Sequence, residues 1–119
     1  MIKNKLSYMI VDNKKYYVDE IFNKFGKIEL FINCPYGYKN YTSIIKWEVD
    51  KAKRKQGIGS KLVKEVIRKY EKIYAWCLNK NSTRILYHLG FYPKYNKNAS
   101  LKETLKLFEI NDDLEMIYD

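Results

Sequence analysis

Nine consecutive residues, Arg54-Lys55-Gln56-Gly57-Ile58-Gly59-Ser60-Lys61-Leu62, place two glycines among three cationic side chains. Before them an apolar-rich run ends at Val49. After them Leu62, Val63, Val66, Ile67 and Tyr70 recur at helical spacing, with Lys61, Lys64, Glu65, Arg68 and Lys69 on the opposite face. The stretch therefore reads as a turn that opens an amphipathic helix. A helix N-terminus presents backbone N–H groups with no intrahelical partner and carries the positive end of the summed peptide dipoles, so it suits a phosphate. Glycine at 57 and 59 lets the backbone curl close to an anion with no Cβ in the way, and N–H groups from Gln56 to Ser60 can then point inward. Arg54, Lys55 and Lys61 add charge.

The flanking chain must position that turn. Leu6 to Val11 is apolar enough for a strand, and Asp12-Asn13-Lys14 is turn chemistry. Tyr17, Val18, Ile21, Phe22 and Phe25 recur at helical spacing before Gly26, which predicts a short helix over Tyr16 to Phe25. Ile28 to Asn33 reads as a strand, Pro35-Tyr36-Gly37 as a turn, and Tyr41 to Val49 as the returning strand of an antiparallel pair. After the basic helix, Ile73 to Leu78 is a nearly continuous apolar run suited to burial on both faces of a sheet. Strand, helix, strand in this order implies a right-handed crossover. Asn79 to Ser82 offers caps for a helix carrying Ile85, Leu86 and Leu89 and ended by Gly90. Phe91-Tyr92 starts a strand broken by Pro93, Ser100 and Glu103 form a capping box before another helix, and Leu114 to Tyr118 closes as a strand.

At 119 residues the chain has the length of a single domain, 1–119, with 46% hydrophobic and 31% charged residues, a globular balance. No apolar run approaches the roughly 20 residues that span a bilayer, and the N-terminus lacks a signal-peptide core. A cytoplasmic protein with no membrane partner is expected. Cys34 and Cys77 have no Cys or His partner at metal spacing, so free thiols and no metal site are expected. The formal charge of +9 is uneven: residues 51–72 carry a local excess of +7 and residues 101–119 a local −4. The basic region favours an anionic ligand beside the turn.

Taken together, Arg54-x-x-Gly57-x-Gly59 is similar to the Gln/Arg-x-x-Gly-x-Gly/Ala signature of the GCN5-related N-acetyltransferase (GNAT) family. Val49 stands where that family's fourth strand ends, and Leu89-Gly90-Phe91 resembles the Leu-Gly-Phe after its fourth helix. The resemblance runs from about Tyr41 to Phe91, with Glu115 to Tyr118 also in the family style. It implies an α/β (α+β) fold, a mixed and mostly antiparallel central sheet with splayed middle strands and flanking helices. It also implies an N-acetyltransferase that takes acetyl from acetyl-CoA.

On that resemblance the cofactor's pyrophosphate would sit on Arg54, Lys55, Gln56, Gly57, Ile58, Gly59, Ser60 and Lys61. Its pantetheine arm would pair with the backbone of Trp47, Glu48 and Val49, with Asn79 a further contact and Asn81 the fallback. The acetyl group would lie near the gap between the splayed strands, with Tyr74, Trp76 and Cys77 across it. Acetyl transfer needs a neutral amine, an oxyanion stabiliser and an acid for the thiolate. The family commonly takes the acid from a helix tyrosine, but that position holds Leu86 here and Tyr87 comes one residue later, about 100° round the helix. Tyr87 is the candidate acid and the only histidine, His88, a candidate relay. The usual base position falls near Ser43, which leaves Glu48 as the nearest strand carboxylate.

Family members usually place two helices between the first two strands, where this chain has room for one. An open front suits a macromolecular acceptor, a protein lysine or an amine on aminoacyl-tRNA, or a homodimer whose second subunit supplies the wall. A domain that has lost catalysis and binds nucleic acid or a protein is the competing reading.

Overall fold

The computed structural model describes residues 1–33 and 38–119. The turn expected at Pro35-Tyr36-Gly37 and the Cys34 thiol lie outside the described residues. The elements run β1 (Lys3–Val11), β2 (Lys14–Asn23), β3 (Gly26–Phe31), β4 (Thr42–Val49), a 3₁₀ turn (Lys51–Lys53), α1 (Ile58–Lys69), β5 (Ile73–Cys77), α2 (Lys80–His88), β6 (Tyr92–Pro93), α3 (Leu101–Asn111) and β7 (Leu114–Tyr118). Seven strands form one sheet in the order β1-β2-β3-β4-β5-β7-β6. Among the described residues only β4 and β5 pair in parallel, and α1 is the crossover between them. Pro93, which cannot donate to a ladder, falls on the edge strand.

The helix expected over Tyr16 to Phe25 is not formed; the segment is β2. Asp12 and Asn13 both adopt positive φ, 50° and 64°, which makes a two-residue turn whose twist matches a hairpin. That turn aligns β1 and β2 in register from Lys3↔Phe22 to Val11↔Lys14. The same apolar residues that recur at helical spacing also fit a strand: Ile21 buries its side chain and Tyr16, Tyr17, Val18 and Phe22 are β-formers. Among the described residues no helix lies between the first two strands, so the front of the molecule is a bare hairpin.

The core is continuous across one face of the sheet. Ile21, Ile28, Leu30, Ile73, Ala75, Cys77 and Met116 meet Leu62, Val63 and Val66 of α1, Leu86 of α2 and Phe91. Asn79 caps α2 by accepting from the Ser82 N–H at 2.8 Å. Ser100 and Glu103 cap α3 reciprocally, as expected from their spacing.

Two local departures shape the middle of the sheet. Glu29 pairs with Lys46 and Leu30 with Ile44, so Ile45 is an extra residue on β4 with no β3 partner, a β-bulge. Pairing between β4 and β5 covers only Thr42–Ile44 against Ile73–Ala75. Beyond the bulge the two strands diverge, and the edge of β4 from Ile45 to Val49 faces a gap.

Candidate functional site

At the mouth of that gap lies a cleft of about 640 Å³. Trp47, Glu48 and Val49 of β4 form one bank, Lys53 to Lys55 and Gly57 to Ser60 form the end, and Asn79, Asn81, Ser82 and Ile85 form the other bank. The cleft lies on the side of the sheet that carries α1 and α2.

The turn is built by unusual backbone. Lys55 has φ 66° and Gly57 φ 77°, so the chain passes twice through the left-handed region before α1 begins. Gly57 is the N-cap of α1 and no side chain caps that end. The first helical hydrogen bond is Lys61 N–H to the Gly57 carbonyl at 3.0 Å. The N–H groups of Ile58, Gly59 and Ser60 precede it and are directed out of the helix end, where an anion can accept from them.

The two glycines have different reasons. A Cβ on Gly57 would meet nothing within 4 Å, so its requirement is conformational and its side is open space. A Cβ on Gly59 would approach the Trp47 ring to 3.2 Å, so its requirement is packing: the first turn of α1 lies directly on the indole. Trp47 is thereby fixed between α1 and the core.

Electrostatically the cleft is cationic at one end, with Arg54 and Lys55 exposed and Lys53 half-buried around the turn. Arg54 Nε donates to the Val49 carbonyl at 3.2 Å, tying the turn back to the last residue of β4. Gln56 is exposed and, with Lys61, falls outside the cleft lining, whereas the other residues expected from the turn lie in it. Asn79 uses its side-chain oxygen as the α2 cap, which leaves its amide NH₂ for the cleft.

The residues expected to do acid and base work are placed less favourably. Ile85 lines the cleft, Leu86 is 1% exposed in the core, and Tyr87 lies about 200° from Ile85 round the helix. Tyr87 is not among the cleft residues; it packs on the flank of the core, its ring 5.7 Å from His88. Glu48 is cross-strand from Lys27, on the opposite face of β4 from Trp47, and pairs with Lys46 at 3.7 Å. It lines both this cleft and a second hollow of about 390 Å³. Ser43 is buried and its Oγ has no hydrogen-bond partner.

Across the gap, Ala75 and Cys77 of β5 are buried on the helix side and Trp76 points the other way. Burial pushes the Cys77 thiol up to about 11, so it is an unreactive core side chain. Among the described residues no group of His, Cys, Asp and Glu could hold a metal ion, and no helix is long and apolar enough to cross a membrane.

Two features of this region were not anticipated from the sequence: the Arg54 link to Val49, and the interlocking of Trp47 with Gly59. A β4 aromatic with a helix-start glycine gives no sequence signal of contact, because their meeting depends on where the crossover helix lands.

The acetyltransferase (GNAT) family model matches residues 10–91. No curated protein sequence matches the chain. Among solved structures, PH1933 from Pyrococcus horikoshii OT3 superposes with a TM-score of 0.56 at 21% identity, over 87% of this chain and 63% of that one. A GNAT-family acetyltransferase from Staphylococcus aureus Mu50 gives 0.55 at 20%, over 87% and 66%. A Bacillus anthracis str. Ames protein assigned as a streptothricin acetyltransferase, solved with acetyl coenzyme A, gives 0.54 at 15%, over 99% and 83%. The chain spans a little under two thirds of the first two, and at these identities the likeness is one of fold.

Proposed function

The chain belongs to the GNAT acetyltransferase family, and from that premise we propose that it is an acetyl-CoA-dependent N-acetyltransferase acting on a primary amine. The observation that carries the proposal is the uncapped N-terminus of α1, opening into a cleft that continues along the unpaired edge of β4. That geometry matches both chemistries of the donor. The N–H groups of Ile58, Gly59 and Ser60, with Arg54 and Lys55, suit its pyrophosphate. The free backbone of Trp47, Glu48 and Val49 suits the amides of its pantetheine arm, with the Asn79 amide opposite. Arg54 already donates to Val49, so this arginine turns towards the phosphates or shares the carbonyl when the donor enters. Lys61 contributes charge rather than contact, and the neutral Gln56 lies outside the lining.

Bound acetyl-CoA would supply an activated thioester. The chain's task is to hold it in the gap, offer backbone N–H groups at the Ile45 bulge to a developing oxyanion, and accept a proton from the amine, while coenzyme A leaves as a thiolate that takes its proton from water. Glu48 is the proposed base, acting through water, and protein lysine the proposed acceptor class; the uncovered front of the molecule gives a polypeptide room to approach.

Titration calorimetry with acetyl-CoA tests the reading. Saturable one-to-one binding is expected, and ligand at a hundred times Kd should raise Tm by roughly 10 °C, the effect of about 2.7 kcal/mol on a domain of this size. No heat and no thermal shift at millimolar ligand would end it. Two substitutions then sort the proton transfers by their effect on kcat. Glu48→Gln is expected to lower kcat about tenfold or more with unchanged acetyl-CoA affinity. Because Tyr87 stands outside the cleft, Tyr87→Phe is expected to leave kcat within about twofold; a tenfold fall would return the acid role to it.

A further inference from the structure

Trp76 is 57% exposed, an unusual place for an indole on a central strand. Its neighbours Ala75 and Cys77 are buried on the helix side, so Trp76 stands on the opposite face, just past the last β4–β5 pair. Ile45, the bulged residue on the facing strand, is 46% exposed across the same gap. On β7, Glu115 is cross-strand from Trp76, and Asp113 accepts a hydrogen bond from its Nε1 at 3.0 Å. That bond fixes the indole plane and sets a carboxylate at its edge.

Resting on the acetyltransferase reading, we infer that Trp76 and Asp113 form the docking platform for the acceptor, and that the acceptor is a lysine side chain of a polypeptide. The donor cleft occupies the α1 and α2 side of the gap. A nucleophile that reaches the thioester without displacing the donor comes from the other face, where Trp76 is the large exposed side chain beside the opening. An indole face attracts an alkylammonium group and covers its methylene stem. Asp113 supplies the counter-charge, its carboxylate held by a neutral N–H rather than by a cation.

The neighbouring cluster shows what this surface accepts. Tyr74 donates to Glu115 at 2.7 Å, and the Lys94 ammonium sits 3.1 Å from the same carboxylate and 5.0 Å from the Tyr38 ring centroid. The molecule thus already holds one of its own lysines between a carboxylate and an aromatic face, one strand away from a Trp–Asp pair with no lysine of its own among the described ion pairs and ring contacts. A phosphate-bearing acceptor would meet the Asp113 carboxylate, which no described ion pair neutralises, and be repelled. The basic turn that would attract it lies on the far side, taken up by the donor.

The test follows the indole N–H signals by NMR in the protein saturated with coenzyme A. The sequence holds only Trp47 and Trp76, and Trp76→Phe identifies each signal. The probes are the capped peptide acetyl-Gly-Gly-Lys-Gly-Gly-amide and the same peptide with norleucine for lysine. The lysine peptide is expected to move the Trp76 signal saturably, with an affinity at least fivefold above that of the norleucine peptide, and Asp113→Asn should remove that preference. Equal response to both peptides, no response to either, or an unchanged preference in Asp113→Asn would overturn the platform. So would an aminoacyl-tRNA that moves the Trp76 signal where the lysine peptide does not. Coenzyme A binding, read independently from the Trp47 signal, reports on the acetyltransferase reading, so the two can fail separately.

Discussion

Gly57→Trp is expected to weaken acetyl-CoA binding by at least a hundredfold while leaving the fold intact. Position 57 caps α1 at φ 77°, and nothing lies within 4 Å of where a Cβ would be. A Cβ there meets no protein atom within 4 Å, and Gly57 lines the cleft, so a large side chain competes for the space proposed for the donor. The left-handed backbone adds strain of about 1–2 kcal/mol for a non-glycine residue, enough to lower Tm by several degrees and not enough to unfold the domain. Gly57→Ala separates the two effects. It carries the same strain with little bulk, so its acetyl-CoA affinity should stay within about threefold of the parent, since a methyl group fills little of a 640 Å³ cleft. Calorimetry beside thermal melts reads both quantities, and an unaltered affinity in Gly57→Trp would show that the donor binds elsewhere.

The second large effect is on stability. Asp19 is fully buried on β2, where it accepts from Lys69 Nζ at 2.5 Å, Tyr70 Oη at 2.6 Å and Asn4 Nδ2 at 3.4 Å. Lys69 and Tyr70 are the last turn and C-cap of α1, so this carboxylate pins the far end of the helix whose near end forms the glycine turn. Burial, with the carboxylate beside it, pushes the Tyr70 phenol well above its usual range, which keeps it a donor. Asp19→Ala removes the carboxylate shared by the exposed Lys69 and the half-buried Tyr70, and losing these two hydrogen bonds to a charged group costs roughly 3 kcal/mol. A fall in Tm of about 10 °C is expected. Asp19→Asn keeps the shape and an acceptor oxygen and should lose about half as much. A loss under about 1 kcal/mol for Asp19→Ala would mean that the α1 end is held by packing of Val66 and Leu62 alone.

Much of the site was legible because its signals are local. The turn from Arg54 to Leu62, the apolar stripe of α1, the Asn79 cap and the Ser100–Glu103 box each depend on residues within one or two turns of chain. Leu89-Gly90-Phe91 reads correctly as a helix stop, with Gly90 at φ 103°. The misread segment shows where locality ends. Residues 16–25 satisfy a helical period and are also rich in aromatic and β-branched strand formers, and the hairpin partner at residues 3–11 decides between the two.

What the sequence by itself determined is therefore the proposed donor side of this protein: a strand ending at Val49, a left-handed glycine turn and a basic helix, all written within about twenty residues. Tertiary structure alone decided the side proposed for the acceptor. The rotation of α2 about its axis put Ile85 in the cleft lining, Leu86 in the core and Tyr87 outside that lining, because burying one apolar stripe leaves little freedom to aim its neighbour. Pairing of β5 with β7, nearly forty residues apart in sequence, brought Trp76 against Asp113 and Glu115. Side chains meet across a sheet by register, and register is a property of the whole folded chain.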